Sequence, residues 1–236
     1  MQNLELQGCE SCKQIDCLIN KYCSQKWKPI IGNAKLFREY APHQVIFYEG
    51  DIVSRIHFIR QGKVKISNTT HSGTQNIIRL AGSGEMLGLR AFTEDLYVVN
   101  ATTLEPTSIC SIDKKVFLKV LWDSSEFMMH LLEFYAHQYS SLEMQHRQFS
   151  RAKSKGKIAR ALLLIKKQYG IINAENECLL DVVLSRQELA DIGGTCLAEA
   201  IRALSVFKKE KIIKIYRQKI ILLDEKKLNK YIFEKV

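Results

Sequence analysis

The sequence predicts an α+β chain: an antiparallel β-roll first, then one long helix that pairs two copies, then a winged helix-turn-helix. Three observations predict it. Between Phe37 and Phe117 short apolar stretches alternate with glycines, and from Ser125 to Arg151 apolar residues recur in steps of three and four. Ser185 to Ile213 then reads as two short helices around a turn with a basic tail. The implied divisions are a cysteine-containing leader (1–25), a β-roll domain (26–124), a long helix (125–150) and a winged helix-turn-helix domain (151–236). At 236 residues, the chain has room for two domains with sizeable cores. No apolar run reaches the length of a membrane span, and the N-terminus lacks a basic region followed by an apolar one. The expectation is a cytoplasmic protein with no membrane partner.

The leader holds Cys9, Cys12, Cys17 and Cys23 within fifteen residues, among charges and few large apolar side chains. Such a segment reads as loop-rich and cannot form a core by itself. In a cytosolic chain these thiols are not a disulfide framework. With too little apolar surface nearby to bury them, ligation is the expected role. Thiolate-only sites take zinc or an iron-sulfur cluster, and spacing alone does not separate the two. Cys178 and Cys196, isolated in the C-terminal part, read as small buried hydrophobes.

The next region carries the strand-like segments HQVIFYEGD, RIHFIRQGKVKIS, HSGTQNIIRLAGSGE and TSICSID, with Gly50, Gly62, Gly73, Gly82 and Gly84 as punctuation. Strands at this regular spacing make an antiparallel roll or barrel, with the glycines as turn residues. Cys110 sits on the last of these strands.

From Ser125, the positions Phe127, Leu131, Phe134, Gln138, Leu142, Gln145 and Phe149 keep the three-four alternation of a heptad seam. A helix buried within one domain would show the same stripe. The polar Gln138 and Gln145 within it favour a dimer interface. His130 and His137 lie about 10 Å apart by helix rise, too far to share one metal ion, and read as ordinary histidines.

SRAKSKGKIARALLLIKK, from Ser150, is a basic hinge running into an amphipathic helix with Ile158, Leu162 and Ile165, ending near Gly170. Ser185 is an N-cap with Glu188 at capping-box spacing. Leu189 and Ile192 face inward, Gly193 and Gly194 break the helix, and Leu197, Ile201 and Leu204 resume inward with Ala200 and Phe207 beside them. Two apolar faces this close pack across the turn and leave the outer face of the second helix free for a DNA major groove. IIKIYRQKIILLD then reads as a hairpin turning at Arg217-Gln218, where Lys214, Arg217 and Lys219 would reach phosphates. An ordinary helical hairpin could show the same pattern, but charge decides against it. From Ser150 onward there are 19 Lys and Arg against 10 Asp and Glu, so this part carries nine of the chain's net +10.

LSRQELADIGGT resembles the helix-turn-helix of the CRP/FNR family of bacterial transcription regulators, and Lys208 to Leu223 resembles its winged end. The β-rich region, with Gly50, Gly62, Gly82 and Gly88, is similar to the cyclic-nucleotide-binding β-roll of the same family. The resemblance implies a homodimeric, sequence-specific regulator, not an enzyme, on double-stranded DNA with an inverted-repeat site. It implies a DNA face of Ser185, Arg186, Gln187, Thr195, Leu197, Ala198, Glu199, Arg202 and Lys208. The family's usual Arg falls on Arg202, but its usual Glu falls on Ala198, with Glu199 one place along, so the preferred half-site should differ. The family's ribose-binding Gly-Glu pair reads Gly88-Leu89 here, and its phosphate-binding Arg-Ser pair falls at or near Val99-Asn100. With no cation for a buried phosphate, cyclic AMP and cyclic GMP are not expected ligands.

The oxygen-sensing FNR branch combines an N-terminal cysteine cluster with one distant cysteine at the place of Cys110. That branch has C-x2-C-x5-C, whereas here the elements are split as Cys9-x2-Cys12 and Cys17-x5-Cys23. The resemblance implies a [4Fe-4S] cluster on Cys9, Cys12, Cys23 and Cys110, with Cys17 as the alternate, sensing oxygen, nitric oxide or redox state. A zinc staple stays open, as do free thiols in a regulator answering another small ligand, a constitutive DNA-binding protein, and a cysteine-based redox enzyme. The last lacks any Gly-rich phosphate loop, paired carboxylate motif or nucleophile elbow in this sequence. Direct contact with RNA polymerase, the operator and the sense of regulation also stay open.

Overall fold

A computed structural model describes residues 8–69, 75–88, 90–149 and 153–233, without the side chains of 141, 142 and 144–149. Gly73, Leu89 and the hinge residues Ser150 to Ala152 lie outside the described residues, as do the side chains of Leu142, Gln145 and Phe149. Contacts divide the chain into one unit of 1–68 with 81–138 and another of 69–80 with 139–236.

The first unit begins with two short helices, α1 (Leu18–Tyr22) and α2 (Lys28–Asn33). The strands follow as β1 (Lys35–Tyr40), β2 (Val45–Phe47), β3 (Arg55–Gln61), β4 (Val64–Thr69), β5 (Gln75–Ala81, largely in the other unit), β6 (Met86–Leu87), β7 (Asn100–Thr103) and β8 (Thr107–Asp113). One sheet runs β1-β8-β3-β6, and in another β7 lies between β2 and β4. Cys110 of β8 faces Phe37 across one ladder and Phe58 across the other, so it stands in the middle of its sheet. Every residue of β8 except Asp113 is buried. A strand buried on both faces needs a cover on each.

The leader is part of that burial. Cys9, Leu18, Ile19, Cys23, Trp27 and Ile31 belong to the same buried cluster as Ile56, Phe58 and Ile109. The expectation that this segment has too little apolar surface to bury its thiols is therefore corrected: the roll supplies the missing surface. Gly84 marks one point of contact. Its φ of +89° suits glycine, and a Cβ there would lie 2.8 Å from the Asp16 Cβ.

Helix α3 (Lys114–Asp123) starts on Asp113, whose carboxylate accepts from the amides of Lys115 (2.9 Å) and Val116 (3.3 Å). Helix α4 (Ser125–Phe149) follows. The first members of its apolar stripe pack within the single chain. Phe127 (0% exposed) and Leu131 (5%) are buried in the roll's own core, and Phe134 packs against it. A side chain with no free surface cannot be buried again by a second copy, so Phe127 and Leu131 are corrected from dimer interface to core. Among the described side chains of this helix, exposed apolar surface lies at Met128, Met129, Leu132 and Tyr139. His130 stacks on Tyr22 at 4.0 Å and pairs with Glu133 at 3.0 Å.

The second unit contains α5 (Ser154–Tyr169), β9 (Gly170–Ile172), β10 (Cys178–Leu180), α6 (Arg186–Gly193), α7 (Leu197–Lys209), β11 (Ile213–Tyr216), β12 (Lys219–Leu222) and α8 (Glu225–Phe233). Its sheet runs β11-β12-β10-β9. Ile158, Ala161, Leu162 and Ile165 of α5 are buried, as are Leu189, Ala203, Leu204, Phe207 and Leu228 from the other helices. Among the described residues no helix is long and apolar enough to cross a membrane.

Candidate nucleic-acid interface and cysteine cavity

Helix α6 begins as its sequence requires. The Ser185 hydroxyl accepts from the Glu188 amide (3.1 Å) while the Glu188 carboxylate accepts from the Ser185 amide (2.8 Å), closing the capping box. The helix ends on Gly194 in the left-handed region, with φ +59° and ψ +47°. Ser185 is thus committed to its cap, and Gln187 donates to Asp191 at 2.7 Å.

Helix α7 turns its Ala200, Ala203, Leu204 and Phe207 side inward. The expectation that Leu197 and Ile201 also face inward is corrected: they are 41% and 47% exposed. The two alanines explain it, because small side chains let the helix approach its neighbours closely without those aliphatics. The outer face carries Leu197, Ala198, Ile201, Arg202, Ser205, Lys208 and Lys209, all exposed. Arg202 pairs with Glu199 at 2.5 Å. Thr195 and Arg186 are half-buried. Cys196, exposed at the start of α7, and half-buried Cys178 are corrected from the buried roles expected of them.

The hairpin β11–β12 turns through Arg217 (φ +45°) and Gln218 (φ +68°), a two-residue turn with both central residues left-handed. Its cations are not equally available. Lys219 is ion-paired to Asp181, and Lys214 lies 3.6 Å from Glu177 and 3.8 Å from Glu175. Arg217 stacks over Tyr216 at 5.3 Å.

In the first unit Cys9, Cys12, Cys17 and Cys110 line one cavity with Gln14, Lys35, Phe58 and Arg60. Cys23 is buried but is not on that wall. Burial pushes the Cys9 and Cys17 thiols up, Cys9 against the pull of Lys35, and pushes Cys23 and Cys110 up to about 11. Lys35, itself only 7% exposed, is the cation of this wall that bonds Cys9. Among the described residues no group of three or more His, Cys, Asp or Glu side chains is placed to hold one metal ion.

Elsewhere in the roll Phe47 stacks on Tyr97 at 3.8 Å, and His57 lies 6.0 Å from Tyr97 and 2.7 Å from the Ser111 hydroxyl. Asn100 is buried, accepting from the Glu49 amide (3.0 Å) and donating to the Ser67 carbonyl (3.4 Å). Arg90 is exposed.

Residues 37–123 match the cyclic nucleotide-binding domain, and residues 156–231 match the Crp-like helix-turn-helix domain. The anaerobic regulatory protein of Bacillus subtilis is 22% identical over 191 residues, covering 80% of each chain. The transcriptional activator protein FnrL of Cereibacter sphaeroides is 20% identical, over 93% of this chain and 89% of its own. The structure of FixK2 from Bradyrhizobium japonicum superposes with a TM-score of 0.72 at 18% identity, covering 84% of this chain and 96% of that one. At that identity the likeness establishes the fold.

Proposed function

The chain belongs to the CRP/FNR family of transcription regulators with a helix-turn-helix DNA-binding domain, and from that premise we propose a homodimer that reads an inverted repeat and answers a signal received at the cysteine cavity. The observation that carries the DNA reading is the outer face of α7, where Arg202, Lys208 and Lys209 stand exposed on a helix braced by a capped neighbour. Arg202 can donate two hydrogen bonds to guanine, so Arg202→Ala should cost about 1 to 3 kcal/mol at one base position. Lys208→Ala should weaken all sequences alike and flatten the salt dependence. Unchanged affinity and base preference in Arg202→Ala would refute this placement of α7.

The dimer face is the exposed strip of α4 at Met128, Met129 and Leu132. Two-fold pairing along α4 would bury the same strip on both copies. A dimer of this kind sets two recognition helices about one turn of DNA apart, which is why the site is an inverted repeat.

The cysteine cavity supports an iron-sulfur reading by its donor set. Four thiols meet on one wall, where burial raises the Cys9 and Cys110 thiols and the buried Lys35 partly opposes it. The residues that would hold the group are Cys9, Cys12, Cys17 and Cys110, with Cys17 taking the place first given to Cys23. When bound, the group supplies sensitivity to oxygen, nitric oxide or redox state. The chain's own part is to tie the leader, through three cysteines, to the central strand β8. Anaerobic protein should carry about four irons per chain with visible absorbance that bleaches in air. Colourless anaerobic protein whose DNA affinity ignores oxygen would refute the sensor reading.

Cyclic nucleotides are not the ligand on this reading. By the resemblance Val99 and Asn100 fall at or near the place where a phosphate would need a cation, and Asn100 is already bonded to backbone partners. Calorimetry giving a micromolar dissociation constant for cyclic AMP would overturn it.

A further inference from the structure

We propose that Leu197 and Ile201 read the 5-methyl groups of thymines, so that the preferred half-site places A·T pairs opposite the N-terminal half of α7. The inference deepens the DNA-binding reading and rests on it. Leu197 is 41% and Ile201 47% exposed, while the core side of the same helix is complete without them: Ala200, Ala203, Leu204 and Phe207 are each at most 4% exposed. Leu197 and Ile201 lie one turn apart and so share a face, with exposed Ala198 beside them. That makes one apolar strip on the half of the helix that enters a groove first.

The chemistry of the surroundings selects the occupant. Arg202 lies beside the strip, paired to Glu199, and Lys208 and Lys209 stand exposed about two turns further along the same helix. Whatever covers the outer face of α7 must therefore be apolar over the strip and negatively charged where the helix runs on to Lys208 and Lys209. The major groove of DNA is both. Thymine carries its one apolar group, the C5 methyl, on the groove floor, and phosphates line the rims. Leu197 and Ile201 are about 6 Å apart by helix rise, so the thymines they read lie within about two base steps of about 3.4 Å.

The test uses the full chain and a duplex selected from random sequence. Each thymine of the half-site is replaced in turn by deoxyuridine, which deletes the methyl and keeps every hydrogen-bonding group. At one or two positions the affinity should fall about fourfold, the equivalent of about 0.8 kcal/mol for one buried carbon. Leu197→Ser or Ile201→Ser should abolish the uracil penalty at its own position and leave it at the other. Both side chains are only partly covered in the fold, so the variants should stay folded at the assay temperature, and melting curves verify it. Equal binding of thymine and uracil duplexes by the parent, or a uracil penalty that survives in both variants, would overturn the inference. Failure to select any site would overturn the DNA-binding reading itself, a distinguishable result.

Discussion

Leu131 and Leu132 are adjacent on α4, yet they should fail in opposite ways. Leu131 is 5% exposed in the core of the roll, and Leu132 is 62% exposed. Leu131→Ala removes buried methyl groups and leaves a cavity, which costs about 2 to 5 kcal/mol of folding stability. Leu132→Ala touches little in the single chain and should change its stability by less than about 0.5 kcal/mol. In a two-fold dimer, however, the loss counts in both copies. A leucine side chain fully buried contributes about 2 kcal/mol, and with nearly two thirds of its surface still to bury, Leu132 contributes about 1 kcal/mol per copy. The dimer dissociation constant should rise about 30-fold for that doubled loss. Urea denaturation reads the first effect and sedimentation equilibrium the second. If Leu132→Ala left association unchanged while Leu131→Ala dissociated the dimer without destabilising the fold, the assignment of the two faces of α4 would be wrong.

Two further outcomes follow from the first unit. His57 is held neutral by burial and by the nearby guanidinium groups of Arg55 and Arg38, its pKa lowered to about 4 from an ordinary value of 6.5. A base whose folded pKa is depressed stabilises the fold fully above pH 6.5, and that contribution is lost as pH falls toward 4. The loss is about 3 kcal/mol, so denaturant midpoints should drop across that window, and His57→Gln should flatten the slope. An equal slope in the variant would assign the acid sensitivity elsewhere. For the cysteines, Cys17→Ser should remove most of the anaerobically bound iron, whereas Cys23→Ser should retain it with some loss of stability. The reverse pattern in iron analysis would restore Cys23 as the ligand.

The helix-turn-helix was legible because its signals are local. The Ser185–Glu188 capping box and the Gly193-Gly194 pair act within four residues; the structure realises the box, and of the two glycines Gly194 ends the helix while Gly193 is still helical. The direction of Leu197 and Ile201 was not legible, because aliphatics at helical spacing look like core whether a neighbour covers them or not. Ala200 and Ala203 did the packing, and small residues give a weak periodic signal. The stripe through Phe127 and Leu131 correctly announced burial, but periodicity does not say which surface does the burying. Here the roll was the partner. The choice between Cys17 and Cys23 depends on how the leader folds over β8, which no spacing within the leader encodes. Gly84, where the roll admits Asp16 of the leader, was read only as a turn residue.

The most direct measurement is the mass of the complex on a selected duplex. Sites should be enriched from random DNA by the full chain, then titrated in sedimentation experiments with duplexes holding one or two half-sites. We expect an inverted repeat with half-site centres about 10 to 10.5 base pairs apart, bound by two chains at once, and a single half-site bound far more weakly. One chain per duplex, or affinity for the selected site no greater than for random DNA, would contradict a dimeric regulator that reads sequence through α7.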